Sequence, residues 1–168
     1  MTPPLWPIGT GQILGWGLDE KKHAPTWDSG EGSFRVGGRW NSKGVRAVYA
    51  SFDPAASILE VAVHKGFNAL DTVPHVLTSF EIIDPKLIHV VRAEDVPNNN
   101  WLVPGMPGTG QQKFGDDLLG EHFFVAIPSA VSNFSWNLIF DADKAASRYK
   151  LVAQTAFALD TRLNPPRA

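Results

Sequence analysis

Residues 37–66 have the sequence GGRWNSKGVRAVYASFDPAASILEVAVHKG, in which turn, strand and helix patterns follow one another. The first eight residues are typical of a glycine-rich turn. The run Ala47–Ser51 predicts a short strand. A helix follows, because Asp53 can cap its first turn and the proline after it fits the first helical position. We expect this helix to run to Lys65, with Gly66 as its stop.

The rest of the chain adds strands and one further helix. Thr109 and Gln112 have the spacing of a capping box, which predicts a short helix that ends near Gly120. Residues 92–108 contain three prolines and predict a long irregular loop, and the glycine-rich stretch 105–110 is either a lid over a ligand or a plain surface loop. Six more strands are predicted at 12–18, 76–83, 87–91, 123–127, 136–140 and 150–159. Because no strand–helix–strand rhythm is present, the prediction is a single compact α+β domain with mostly antiparallel strands and a few short helices.

Length and composition restrict the classes of function. One domain with a substantial core is expected from 168 residues, of which 43% are hydrophobic and 19% charged. The 15 basic and 17 acidic side chains leave a formal charge of −2, which excludes generic nucleic-acid binding. Cysteine is absent, so disulfides and thiolate sites are excluded. The sequence shows neither a signal peptide nor an apolar run of membrane-spanning length, and we therefore expect a cytoplasmic protein that does not bind a membrane.

Sequence motifs for metals, phosphates and activated serines are not found. The chain contains no P-loop, no dinucleotide fingerprint, no HExxH and no GxSxG motif. Its five histidines lack the spacing of metal ligands, so no metal site is predicted.

Two charged residues each allow a functional and a structural interpretation. Arg39 follows two glycines whose amides can approach a ligand, and its guanidinium suits phosphate or carboxylate; alternatively it points to solvent from a hairpin. Glu60 shares its side of the helix with Ala56, Ser57 and His64. This side is poor in charge and its small residues permit close approach by a ligand, while an ordinary solvated face is the alternative.

Two hydroxyl groups lie at strand ends. Tyr49 lies towards the end of its strand, where it is either a core aromatic or part of a site. Ser129 directly follows an apolar strand, where a serine hydroxyl commonly bonds its own backbone. Taken singly, neither residue predicts a function.

Taken together, these residues resemble a known family. The run SGEGSFRVGGRWNSKGVRAVYAS, the glutamate eleven residues after its tyrosine, and the later run IPSAVSNFSWNLIF are similar to the RES domain. That family is named for its Arg, Glu and Ser, which match Arg39, Glu60 and Ser129 in this chain. The resemblance extends over most of the sequence, from about residue 30 to residue 163.

The resemblance implies a fold and an activity. RES proteins are toxins of bacterial toxin–antitoxin pairs, and an Xre-like helix-turn-helix antitoxin neutralises them. Their fold is similar to that of ADP-ribosyltransferase toxins, and they consume NAD+ by hydrolysis, by phosphorolysis or by transfer of ADP-ribose to a protein. The implied function is therefore cleavage of the nicotinamide–ribose bond, with NAD+ as substrate and no metal. The acceptor stays open between water, phosphate and a protein side chain.

The resemblance also implies roles for individual residues. Glu60 would bind the ribose and stabilise the oxocarbenium-like sugar, Arg39 would hold the anionic part of the dinucleotide, and Tyr49 would stack on the nicotinamide or ribose. These three are the implied catalytic residues. The implied NAD+-binding residues are Arg39, Tyr49, Ser129 and Asn137.

Two departures from the family support an alternative function. After Asn137 the family often has an Asn-Pro pair and a histidine, whereas this chain has DADK at 141–144, and its first strand lacks an arginine near residues 15–17. The alternative is a non-catalytic nucleotide-binding or protein-interaction module with the RES fold. Low charge and six tryptophans would suit a surface that an antitoxin covers. The predicted boundaries are an N-terminal segment packed on the domain (1–29), the RES domain (30–163) and a tail (164–168).

Overall fold

The structure, a computed structural model, describes residues 11–166 of the chain. These residues form one seven-stranded sheet and four α-helices, with short 3-10 turns between them. The strands are β1 (Ile13–Glu20), β2 (Ala47–Ser51), β3 (His75–Ile82), β4 (Ile88–Val90), β5 (Phe124–Pro128), β6 (Trp136–Asp141) and β7 (Tyr149–Phe157). The helices are α1 (Glu31–Val36), α2 (Pro54–Lys65), α3 (Phe67–Thr72) and α4 (Thr109–Glu121).

The strands follow one another across the sheet in the order β4–β5–β6–β2–β1–β3–β7. All neighbouring pairs are antiparallel except β4 with β5. Each predicted strand is present, and its ends differ from the prediction by at most two residues. The predicted α+β class, with mostly antiparallel strands and a few short helices, is confirmed.

The helix α2, which follows β2, begins and ends where the sequence predicts. The Asp53 carboxylate accepts a hydrogen bond from Ala56 N at 2.9 Å, and Pro54 is the first helical residue. Gly66 ends the helix with a φ of +81°, a conformation that glycine adopts without strain. These local signals set the direction of the helix that carries Glu60.

Side chains pack on both faces of the inner strands, whereas residues 150–156 of the edge strand β7 are exposed. Alternation along the inner strands separates two cores. Val48, Ala50 and Phe140 belong to one core, whereas Ala47 and Ile139 belong to the other, together with residues of α4. A third cluster buries the apolar sides of α2 and α3 against β1 and β3. Each large apolar side chain buried in this way contributes about 1.5–3 kcal/mol to the free energy of unfolding.

Two glycines permit unusually close packing. Gly115 lies in the middle of α4, and a Cβ atom there would be 1.9 Å from the carbonyl oxygen of Trp40. Gly15 lies in β1, and a Cβ atom there would be 2.2 Å from the ring of Phe80. Any larger residue at either position must displace its neighbour.

The predicted capping box of α4 is wrong. The N-cap residue is Gly108, and Thr109 is the first helical residue, without a side-chain cap. The Gln112 amide donates instead to the carbonyl oxygen of Gly38 at 2.9 Å. A contact with the turn before β2 therefore replaces the local capping bond.

The sequence pattern does not predict α1 and α3, which have six residues each. Helices this short have too few apolar positions to show a period of 3.6 residues. None of the helices found between residues 11 and 166 combines the length and the apolar character that crossing a bilayer requires.

Part of the predicted N-terminal segment (1–29) lies inside the sheet. β1 lies between β2 and β3, and its Leu18 is buried in the cluster formed with α2 and α3. Residues 1–10 and 167–168 are outside the described residues. The predicted boundaries at residues 30 and 163 stay predictions.

The contact between β1 and β2 is short. These strands share one register pair, Trp16 with Ser51, whereas β2 pairs with β6 at five positions and β1 pairs with β3 at eight. The part of β2 that precedes Ser51 is therefore not paired with β1, and the sheet opens there.

Candidate active site

A cavity of about 430 Å³ lies where β1 and β2 separate, and it is bordered by α2 and by the turn that precedes β2. Its walls include Arg39, Tyr49, Glu60 and Asn137, which are four of the five residues predicted for the site. Ser129, the fifth, is buried and contacts Glu60. A cavity of this size is typical of small-molecule sites. The fold thus brings together residues that are up to 98 positions apart in sequence, between Arg39 and Asn137.

The glycine-rich turn (37–44) is held by Asn41, which is fully buried. The amide nitrogen of Asn41 lies within 3.0–3.2 Å of three backbone carbonyl oxygens, and its amide oxygen accepts a bond from the Tyr49 hydroxyl at 2.6 Å. The same hydroxyl accepts a bond from Trp40 N at 3.0 Å. A Cβ atom on Gly38 would lie 2.6 Å from both the Asn41 oxygen and the Tyr49 hydroxyl, so this position requires glycine.

Tyr49 has two different ends. Its hydroxyl is enclosed by the turn, while the residue as a whole is 37% exposed and borders the cavity. Burial of the hydroxyl raises the pKa of Tyr49 above its ordinary value, so the phenol stays neutral at physiological pH. The hydroxyl therefore holds the turn, and the ring is the part that a ligand can contact.

Arg39 is held by backbone carbonyl groups. Its Nη1 atom donates to the oxygens of Trp101 and Val103 at 3.3 and 3.4 Å, and its Nη2 atom donates to the oxygen of Gly105 at 3.1 Å. No carboxylate among residues 11–166 forms an ion pair with this guanidinium. The carbonyl groups orient the guanidinium without neutralising it, which leaves its charge available to an anion.

Glu60 has one oxygen fixed and one oxygen free. Its Oε1 atom accepts a bond from Ser129 Oγ at 2.6 Å and another from Asn137 Nδ2 at 2.7 Å. Within the described part of the chain, Oε2 has no hydrogen-bond partner. The carboxylate is therefore oriented before any ligand binds, and one of its oxygens can accept a bond from that ligand.

Ser129 supports Glu60 from behind. Its hydroxyl accepts bonds from Val131 N and Ser132 N, each at 3.0 Å, and donates its one proton to Glu60. Only 3% of the residue is exposed. The two backbone amides aim the hydroxyl at the carboxylate, and no proton is left for a ligand.

Asn137 supports Glu60 from β6. A carboxylate accepts hydrogen bonds, so the Asn137 nitrogen faces Glu60 and its Oδ1 atom accepts a bond from Ser51 Oγ at 3.0 Å. The sequence reasoning did not single out Ser51. The signal was its spacing, because Ser51 lies two positions after Tyr49 and thus on the same face of β2.

The other wall of the cavity is formed by the end of β1 and the last turns of α2. It includes Asp19, His64 and Lys65. Burial raises the pKa of Asp19, and the nearby charge of Lys65 opposes this shift. Lys65 Nζ pairs with Glu20 Oε1 at 2.9 Å. His64 follows Glu60 by one helical turn, as predicted from the shared helix side, so both residues border one cavity.

Among residues 11–166, the site therefore combines a guanidinium without an ion-pair partner, an exposed aromatic ring and a carboxylate with one oxygen that accepts no hydrogen bond. Such a set can bind the anionic part of a ligand at Arg39. It can also stabilise a positive charge that develops next to Glu60.

Comparison with known proteins identifies the fold and the family. A chain in the crystal structure of the M. tuberculosis MbcT–MbcA toxin–antitoxin complex has a similar fold, with a TM-score of 0.61 and 17% sequence identity over 88% of this chain and 85% of that one. A protein of Photorhabdus laumondii named Toxin Res is 29% identical over 150 residues, which are 87% of this chain and 94% of the relative. A Toxin Res of Pseudomonas putida is 28% identical over 138 residues, 80% of this chain and 91% of the relative. The sequence model of the RES domain matches residues 14–160. The resemblance seen in the sequence is thus confirmed, and the chain belongs to the RES domain family.

Proposed function

We propose that this protein is an NAD+-consuming toxin of a bacterial toxin–antitoxin pair and that it cleaves the nicotinamide–ribose bond. Membership of the RES family and the relatives named Toxin Res support the assignment as a toxin. The observation that carries the reaction is the Glu60 carboxylate, which borders the cavity. One of its oxygens is held by two donors, and the other has no partner in the described part of the chain.

The proposed reaction needs a carboxylate in this state. As the bond between ribose C1′ and the nicotinamide nitrogen breaks, nicotinamide leaves as a neutral molecule with the electron pair, and positive charge develops on the sugar. The Glu60 carboxylate stabilises this charge, and Oε2 accepts a hydrogen bond from a ribose hydroxyl. Because Ser129 and Asn137 orient the carboxylate beforehand, little reorganisation is needed in the transition state.

The other predicted site residues have proposed roles in binding. Arg39 binds the diphosphate of NAD+, since its guanidinium bonds backbone carbonyl groups and pairs with no carboxylate of the described residues. The Tyr49 ring stacks on the nicotinamide or the ribose and holds the bound geometry. We assign Ser129 to the positioning of Glu60, and Asn137 to the same task as well as to NAD+ binding, since Asn137 also borders the cavity.

The group that finally attacks C1′ is water, inorganic phosphate or a protein side chain. These acceptors yield free ADP-ribose, phosphorylated ADP-ribose and an ADP-ribosylated protein, which mass spectrometry distinguishes. Products should be compared with and without phosphate, and with cell lysate present. Free ADP-ribose as the sole product in every condition would contradict phosphorolysis and transfer.

We further propose that an Xre-like helix-turn-helix antitoxin neutralises the protein in the cytoplasm. The similar fold in a complex named as toxin and antitoxin supports a protein partner. The absence of cysteine suits a reducing compartment. Inhibition of nicotinamide release by the purified antitoxin would test this, and full activity of the complex would contradict it.

The alternative, a non-catalytic module, depends on two departures from the family pattern, one near residues 15–17 and one at residues 141–144. Asp141 is the last residue of β6, and residues 142–144 begin the turn that follows it. The Asp141 Oδ1 atom accepts bonds from the amides of Asp143 and Lys144 at 3.0 and 2.9 Å. None of residues 141–144 belongs to the described walls of the cavity. The departure at residues 141–144 therefore leaves the proposed chemistry in place, and this observation favours the enzyme over the module.

The direct test is nicotinamide release from NAD+ by the purified protein and by Glu60→Gln. The substitution keeps the shape of the side chain and removes its charge, so we expect release to fall by about 100-fold or more. Glu94→Gln, which alters an exposed glutamate outside the cavity, is the matched control and should have full activity. Equal rates for Glu60→Gln and the wild type, with both proteins folded by circular dichroism, would contradict the role of the carboxylate.

A further inference from the structure

The segment after Trp101 is attached to the active site through Arg39. We call residues 103–107 the strap. Two of its carbonyl oxygens, those of Val103 and Gly105, accept bonds from the guanidinium. In the described structure, residues 104–107 form one hydrogen bond, which is this contact at Gly105. Met106 is 96% exposed. The strap is thus held in place chiefly by the residue that we assign to the diphosphate.

The bonds between Arg39 and the carbonyl oxygens are long. They measure 3.1–3.4 Å, at or beyond the upper end of the usual range for N–H···O bonds. A guanidinium bonded to a phosphate oxygen is typically about 2.7–2.9 Å away, and the bond is stronger because both partners are charged. A phosphate that binds both terminal nitrogens therefore competes with the carbonyl groups for these donors.

We propose that the strap responds to ligand binding: a diphosphate in the cavity takes the Arg39 guanidinium from the strap carbonyls and releases the strap. The inference rests on the proposed function for the identity of the ligand, since the diphosphate is the anionic part of NAD+. Linkage makes the effect reciprocal, so a strap that is bonded to Arg39 weakens diphosphate binding as diphosphate binding weakens the attachment of the strap.

The sequence allows a clean test, because the chain has no cysteine and a single introduced one is labelled uniquely. A nitroxide attached to Met106→Cys reports the mobility of the strap by electron paramagnetic resonance. The same label on Val152→Cys, an exposed position in β7, reports changes that are not specific to the strap. ADP-ribose is the probe, because it contains the diphosphate but lacks the bond that the proposed reaction breaks.

We expect saturating ADP-ribose to shorten the rotational correlation time of the label at position 106 and to leave that at position 152 unchanged. Arg39→Gln, which cannot hold the strap, should give the mobile spectrum without ADP-ribose. Arg35→Gln is the matched control, since Arg35 is exposed on α1 and pairs with Glu31 rather than with the strap. It should leave the spectrum as in the wild type.

Two results would overturn the inference: a label at position 106 that ADP-ribose leaves unchanged or immobilises, or an Arg39→Gln variant whose strap is as immobile as that of the wild type. The outcome is separable from that of the proposed function. Nicotinamide release without a change at the label contradicts the strap alone, whereas a mobile label without nicotinamide release contradicts the proposed reaction alone.

Discussion

The orientation of the Glu60 carboxylate is determined by residues that are distant from it in sequence. Ser129 and Asn137, its two donors, follow it by 69 and 77 positions and lie after β5 and in β6. Each donor has a second partner that aims it: two turn amides for Ser129 and the Ser51 hydroxyl for Asn137. The orientation of the carboxylate is therefore a property of the sheet and not of α2 alone.

Asn137→Ala tests this orientation. The change removes one donor from Oε1 and leaves the Ser51 hydroxyl without its acceptor. We expect kcat to fall by about 10- to 100-fold with a smaller change in KM, because a misplaced carboxylate loses transition-state contact. Steady-state nicotinamide release measures both constants, and Asn68→Ala on the exposed side of α3 is the control. A larger effect on KM than on kcat would show that Asn137 acts in binding alone.

The residues that meet at the cavity were predictable, but the hydrogen bonds that each of them makes were not. Arg39, Tyr49, Glu60, Ser129 and Asn137 are identified by their resemblance to the RES family. The Tyr49 hydroxyl bonds to Asn41 in the turn. The sequence pattern does not distinguish Asn41 from any other turn asparagine, so this contact could not be predicted. Contacts between segments far apart in the chain leave no periodic signal.

At the scale of elements, α4 and the glycine-rich turn hold each other. Gly115 of α4 admits the Trp40 carbonyl, Gln112 donates to Gly38, and the Asp116 carboxylate accepts a bond from Ser42 N at 2.9 Å. The turn carries Arg39, so the position of α4 bears on the cavity although the helix does not line it.

Two glycine substitutions in α4 should have opposite effects. Gly115→Ala places a Cβ atom against the Trp40 carbonyl, and we expect a loss of about 1–3 kcal/mol in the free energy of unfolding together with lower activity. Gly120→Ala lies in the same helix with open space at the Cβ position, and it should gain up to about 1 kcal/mol from helix propensity. Urea titration and nicotinamide release measure the two quantities. Equal stabilities of the two variants would contradict the tight contact.

A second element-scale contact joins the end of β1 to the end of α2. Bonds from Lys22 and Lys65, at 2.7 and 2.9 Å, lower the pKa of Glu20 to about 2 from its ordinary 4.5. Because the folded-state pKa is the lower one, the ionised pair stabilises the fold above pH 4.5, and this contribution is lost as the pH falls to about 2. Solvent screening limits it to about 0.2–1 kcal/mol.

Glu20→Gln should therefore be less stable than the wild type near neutral pH, and the difference should vanish by about pH 2. Chemical denaturation at a series of pH values measures it. Glu94→Gln removes an exposed carboxylate that has no ion-pair partner among the described residues, so its difference should stay near zero throughout. A gap between Glu20→Gln and the wild type that widens on acidification would have the wrong sign for this pair.

Elements were predictable where their signals are local. The cap of α2, its proline and its glycine stop lie within 14 residues, and both helix ends agree with the structure. The capping box of α4 was predicted from an equally local pattern, but the Gln112 side chain donates to the Gly38 carbonyl oxygen instead. A tertiary contact thus overrides the local preference. α1 and α3 are too short to show a period.

At the scale of the whole molecule, the N-terminal strand is an inner part of the sheet. β1 pairs with β3 along eight positions and buries Leu18 against α2 and α3. A fragment of residues 30–163, the predicted RES domain, lacks this strand. We expect it to lose the cooperative unfolding transition of the full chain, because β3 and α2 would expose apolar surface to water. Circular dichroism during thermal unfolding tests this, and a fragment that melts like the full chain would establish the predicted boundary.

The single register pair between β1 and β2 also divides the hydrogen bonds of the sheet into two blocks, β4–β5–β6–β2 and β1–β3–β7, with α2 packed across both. Blocks of this kind can open as separate cooperative units, at a cost below that of global unfolding. The seam between them is where the backbone resists separation least, and the cavity lies along it. A molecule that contacts both walls joins the two blocks. Occupancy of the cavity should therefore slow the local opening of the native state between the blocks, in addition to placing a bond for cleavage.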